Sequence, residues 1–155
     1  MNGTKPNWRN GGIRIVRHDQ LDHNVPSWPG IQLGAAITHT SAGASRIWAG
    51  SVMIPADAKT GAHHHGELES VIYVVSGRAC MRWGDHLEYM AEAGPGDFIF
   101  VPPFVPHQEM NASPNEDLIC VLVRNNQEPV MVRLEIEEAT KPEKVSWTDP
   151  HHPSN

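Results

Sequence analysis

The chain has 155 residues, a hydrophobic fraction of 39%, a charged fraction of 19% and a formal net charge of −6. That length suits one soluble domain whose core needs no disulfide, and the acidic balance argues against nucleic acid, which demands a surplus of Lys and Arg on one face. The longest apolar runs, residues 71–75 (VIYVV) and 118–123 (LICVLV), are too short to cross a bilayer, so no membrane partner is expected.

Residues 1–30 read as an N-terminal arm, polar and rich in Gly, Pro and Asn. Its first twelve residues lack the apolar stretch of a signal peptide, which points to a cytoplasmic protein. Within the arm, residues 13–16 (IRIV) are expected as a strand and residues 25–30 (VPSWPG) as a loop. Strands follow at 46–55 and at 70–77, where Ser-Gly stops the run. Residues 79–90 (ACMRWGDHLEYM) read as a hairpin turning at Gly84-Asp85, and AGPGD (93–97) as a turn. Further strands are expected at 97–102, 117–124 and 130–136. Residues 135–144 add one short helical turn, and residues 137–155 form a polar, Pro-rich tail anchored by Trp147.

Thirteen glycines and thirteen prolines divide the chain into these short strands. No convincing helical period precedes residue 134. The expected fold is all-β, a jelly roll or closed barrel over residues 31–136. Cys80 and Cys120 form no CxxC pair and fit reduced, buried thiols. Trp8, Ile13 and Ile15, apolar residues in a polar arm, suggest pairing of two copies as a homodimer.

Residues 61–77 (GAHHHGELESVIYVVSG) carry the chemistry. On an extended segment side chains alternate, so His63 and His65 share a face and His64 points away. Glu67 and Glu69 keep the parity of His63 and His65 if no bulge intervenes. Two such imidazoles can occupy adjacent positions around a divalent ion, with a carboxylate as a further ligand. Taken alone, the same residues read equally well as solvated loop histidines. A second segment, residues 96–111 (GDFIFVPPFVPHQEMN), spaces Gly96, Pro102, Phe104, His107 and Asn111.

Together the two segments resemble the paired signature of the cupin superfamily, in particular its small single-domain bacterial members. The first motif is carried by His63, His65, Glu69 and Gly77, the second by Gly96, Pro102, His107 and Asn111. Phe104 stands where the family has glycine. Seven residues rather than six separate Glu69 from Gly77, so a count back from Gly77 puts Ser70 in the carboxylate slot, and a count forward from His65 puts Glu69 there. Strand parity favours Glu69. The resemblance implies a double-stranded β-helix holding a divalent transition metal (Fe, Mn, Ni or Zn) on His63, His65, Glu69 and His107. His64, Glu67, Ser70, Tyr73, Arg82 and Phe104 are candidates for the surroundings of that site.

The implied partner is a small-molecule ligand or substrate. Such a site supports dioxygenase chemistry on a small oxygenated molecule, which is slightly favoured. It also supports a sugar-phosphate or uronate isomerase, epimerase or lyase. A ligand-binding protein without turnover is the third reading. The isomerase reading requires inward-facing cations, for which Arg46, Arg82, Arg124 and Arg133 are available.

Overall fold

The structure is a computed structural model and describes residues 3–145. Eleven strands make up two sheets: β1 (Gln32–Ile37), β2 (Trp48–Ile54), β3 (His63–His64), β4 (Ser70–Ser76), β5 (Ala79–Trp83), β6 (Tyr89–Ala93), β7 (Phe98–Val101), β8 (His107–Asn111), β9 (Leu118–Arg124), β10 (Val132–Arg133) and β11 (Glu143–Lys144). One sheet runs β1-β2-β9-β4-β7, the other β10-β3-β8-β5-β6-β11. The helical elements, α1 (Trp8–Gly11), α2 (His39–Ala42) and a 3-10 turn at His18–Gln20, are a few residues each. Among the described residues no helix is long and apolar enough to cross a membrane.

The strands follow from alternation. Along β2 every second residue is buried, and along β4 Ser70, Ile72 and Val74 turn inward. Ile54, Ile72, Val74, Val101 and Leu118 close the core between the sheets. Gly77 ends β4 at φ +87°, where a Cβ would meet the Asp117 carbonyl oxygen at 2.6 Å, so glycine alone fits this turn. The hairpin between β5 and β6 turns over residues 84–88 as expected.

Four expectations are corrected. Residues 13–16 form no strand; Ile13 is 94% exposed, because no neighbouring strand stands beside the arm there. β1, whose sequence QLGAAI lacks the β-branched run of a typical strand, was not anticipated, and it pairs with β2 along its length. The expected strand over 130–136 shortens to two residues against β3. Residues 135–142 form no helical turn, and the beginning of the tail is tied to the second sheet. Glu143 and Lys144 pair parallel to Tyr89 and Met90, and the Ala139 N–H donates to the His86 carbonyl. Trp147, His151 and His152 lie outside the described residues.

Candidate metal centre

β3 and β8 are antiparallel neighbours with His63 directly opposite His107. Directly opposed residues point to the same side, so both rings enter the space between the sheets, where each is 2% exposed. His65 follows at the end of β3. The ring centroids are 4.4 Å apart for His63–His107, 4.8 Å for His63–His65 and 5.1 Å for His65–His107. One ring nitrogen from each lies within 4.8 Å of the others.

The backbone fixes which nitrogens converge. The Nδ1 of His63 lies 2.8 Å from the Gly61 carbonyl, that of His65 2.8 Å from Val130, and that of His107 3.0 Å from Val105. A carbonyl oxygen only accepts, so each Nδ1 carries the proton and each Nε2 keeps a bare lone pair. The Nε2 of His107 is buried with no hydrogen-bond partner among the described residues. Burial, then the neighbouring His107, lowers His63 to about 3; burial lowers His107 to about 4. Both are therefore neutral near pH 7, the form that binds a metal. An orphaned acceptor within a cluster of neutral imidazoles fits a divalent transition ion. Cis nitrogens at bonding distance stand about 3 Å apart, so the rings would close slightly around it.

Glu69 takes no part in this cluster. It is exposed, and its N–H donates to the Asn125 side chain. The parity argument fails because the chain turns after His65: Gly66 sits at φ +60° and the Leu68 N–H returns to the His65 carbonyl. Leu68 and Ser70 face inward instead, so the count back from Gly77 describes the fold. Ser70 is 3% exposed and its Oγ has no partner among the described residues.

The other candidates are dispersed. His64 turns away, accepts the Gly66 N–H and lies 5.8 Å from the exposed Phe104 ring. Phe104 accepts a left-handed φ of +61° in the slot where the family has glycine, and its N–H donates to the Gly66 carbonyl. Glu67 is exposed. Tyr73 packs on Phe98 on the outer face, at 4.8 Å between centroids. Arg82 binds the Leu87 and Ala139 carbonyls and so holds the C-terminal segment, away from the histidines. Asn111 is a structural residue whose amide donates to the Ile54 and Glu116 carbonyls.

Two site residues escaped the sequence reading. Glu109 shares the parity of His107 on β8, and that alternation was the available signal. Its carboxylate lines a small interior cavity of about 20 Å³ with Ile54, Ile72, Met81, Leu118 and Cys120, room for roughly one water. Its Oε1 stands 3.8 Å from the His107 Nε2, too far for a hydrogen bond. Burial pushes this carboxyl upward, against the opposing pull of His65. The second residue is Trp28, in the loop of the arm, whose ring lies 5.3 Å from His63 and carries Arg133 at 4.4 Å on its face. The arm thus contributes to the wall of the site.

Of the four arginines, Arg124 alone is buried. Arg46 is exposed, Arg82 and Arg133 are engaged as described, and Arg124 lies buried over Trp48 at 4.0 Å. A single buried cation gives a phosphate-bearing substrate little support.

A family model described as "Cupin domain" matches residues 50–124. No curated protein matches the sequence. Among solved structures, the polyketide cyclase RemF from Streptomyces resistomycificus superposes with a TM-score of 0.67 at 22% identity, over 84% of this chain and 89% of that one. An uncharacterised conserved protein with a double-stranded beta-helix domain from Klebsiella pneumoniae gives 0.61 at 20% identity, over 79% and 98%. Lactobacillus farciminis oxalate decarboxylase, in its formate complex, gives 0.63 at 21% identity; 75% of this chain is covered but only 34% of that longer one.

Proposed function

The chain belongs to the cupin superfamily, and from that premise we propose that it is a metal-dependent enzyme acting on a small oxygenated molecule. The observation that carries this reading is the convergence of three imidazoles whose Nδ1 protons are tied to backbone carbonyls, which leaves the Nε2 atoms free. His63, His65 and His107 would hold the ion. When bound, such an ion supplies a Lewis acid for a carbonyl or enolate oxygen and, as iron(II), a partner for dioxygen.

The protein's own contribution is set by charge and position. Three neutral ligands leave the full positive charge of a divalent ion uncompensated, so an anionic oxygen donor is the favoured ligand. Glu109 is the inward carboxylate beside the cluster, placed to take a proton from the substrate and return it. Apolar residues around it keep water out, and this burial raises the carboxyl above the ordinary carboxylate range, which makes it a stronger base. Structural likeness to a polyketide cyclase and to an oxalate decarboxylase bound to formate supports a small carbonyl or carboxylate compound. Oxygen insertion remains the favoured reaction, with proton-transfer chemistry (isomerisation or lysis) as the second reading, motivated by Glu109.

The test loads the protein with iron(II) and follows oxygen uptake against diketones, catechols, thiols and organic acids, with hydrogen exchange in deuterium oxide measured in parallel. Uptake supports the dioxygenase; exchange without uptake supports the second reading. In either case Glu109→Gln should lose turnover yet keep the metal. No uptake and no exchange with any compound would leave a binding protein.

A further inference from the structure

Three side-chain atoms are buried without a hydrogen-bond partner among the described residues: the Nε2 of His107, the Oγ of Ser70 and the Nε of Arg124. The first belongs to the metal centre. The other two are neighbours. Across the five-stranded sheet Trp48 opposes Arg124, Arg124 opposes Ser70, and Ser70 opposes Val101, a single row through β2, β9, β4 and β7. All four residues are buried, so all four side chains turn inward. The next row, Gly50, Leu122, Ile72 and Ile99, is apolar, as is the one after it with Val52, Cys120 and Val74.

The inner wall of this sheet is therefore polar at one end only, and connectivity says which end. β3 leads through residues 65–69 into Ser70, and β7 leads from Val101 through residues 102–106 into His107. The Phe104 N–H and the Gly66 carbonyl tie these two crossings together. Arg124 and Ser70 thus stand on the sheet facing the histidines, at the same end of the fold.

A guanidinium is always charged, and burying one without a counter-ion is costly. Arg124 is 8% exposed and its Nε is orphaned. Its one evident support is the Trp48 ring beneath it. Arg82, a partly buried arginine, gives its N–H groups to the Leu87 and Ala139 carbonyls, whereas the Nε of Arg124 has no such acceptor among the described residues. We propose that Arg124 and Ser70 form a binding site for the carboxylate of a small organic acid, with the guanidinium giving N–H bonds and the Ser70 hydroxyl a further one. One positive charge and one hydroxyl match a monoanion; a phosphate dianion would call for a second cation, and none lines this row. That the acid is the enzyme's substrate rests on the metal-enzyme reading above. The anion site itself does not.

The test uses the full chain stripped of metal, so its failure leaves the histidine centre standing, and failure of metal binding leaves this result standing. Thermal unfolding is followed against rising acetate, with chloride at equal ionic strength as control and inorganic phosphate as competitor. Acetate should raise the midpoint saturably, chloride should not, and phosphate should bind more weakly. Arg124→Met should abolish the acetate response without lowering the midpoint of the unliganded protein, since an unpaired buried charge has gone. Arg124→Lys keeps the charge but loses the planar fork and should bind acetate at least about tenfold more weakly. Ser70→Ala should weaken it about threefold to tenfold, the loss of one charge-assisted hydrogen bond. An acetate response equal in wild type and both Arg124 variants overturns the proposal. So does phosphate binding tighter than acetate.

Discussion

Acidifying the metal-free protein should remove a large part of its stability, because His63 and His107 are neutral in the fold and charged in the unfolded chain. Their folded values of about 3 and about 4 lie below the ordinary 6.5. Between those limits the unfolded state binds more protons, so stability rises with pH there and is lost as pH falls from 6.5 toward 4. Near pH 5 each unfolded imidazole gains about 2 kcal/mol from protonation that its folded counterpart cannot match. At that pH both remain neutral in the fold, so the two contributions add to roughly 4 kcal/mol, about a quarter or more of a typical domain's stability. Urea unfolding of chelator-treated protein at about pH 7.5 and about pH 5 measures this difference. In His107→Leu one titrating group is gone, and the pH-dependent loss should shrink to about 2 kcal/mol. A loss that is the same in wild type and variant, or absent in both, would refute the assignment of these rings as buried neutral donors.

Phe104→Gly should cost nothing and could add up to about 1 kcal/mol, a rise of a few degrees in thermal midpoint, because a left-handed phenylalanine is replaced where its ring is 58% exposed; a fall of several degrees would mean that the ring carries packing energy. Cys80 and Cys120 are free, buried and raised by burial, Cys120 to about 12, so neither should react with a thiol reagent until the protein unfolds. Rapid modification of the native protein would contradict that. A homodimer is expected from the exposed Trp8, Ile13 and Ile15 of the arm and from the apolar outer face of Val71, Phe98, Phe100 and Val121. Light scattering on the eluted protein should give twice the chain mass at micromolar concentration, and a monomer there would remove this expectation.

Much of the architecture was legible because its strands alternate cleanly. β2, β4 and β9 bury every second residue over most of their length. β1 was not legible, since its Gly34, Ala35 and Ala36 carry little side chain for any pattern to register. Small size is required there: a Cβ on Gly34 would sit 2.9 Å from the Ser51 Oγ. At the metal centre the two histidine segments were readable from spacing. Glu69 is turned away from the histidines because parity survives only while the chain stays extended, and Gly66 bends it three residues earlier. Glu109 needed only the same alternation applied to β8. The orphaned state of Arg124 was beyond reach, because it depends on which residues face it from two strands distant in sequence.

The central claim is that three imidazoles from two distant segments share one ion. Equilibrium dialysis of full-length protein against iron(II), manganese(II), nickel(II) and zinc(II), with elemental analysis of what is retained, tests it directly. The account predicts one ion per chain, and at least about a hundredfold weaker retention in His107→Ala, with Glu69→Ala indistinguishable from wild type. Retention unchanged by His107→Ala, or abolished by Glu69→Ala, would contradict it.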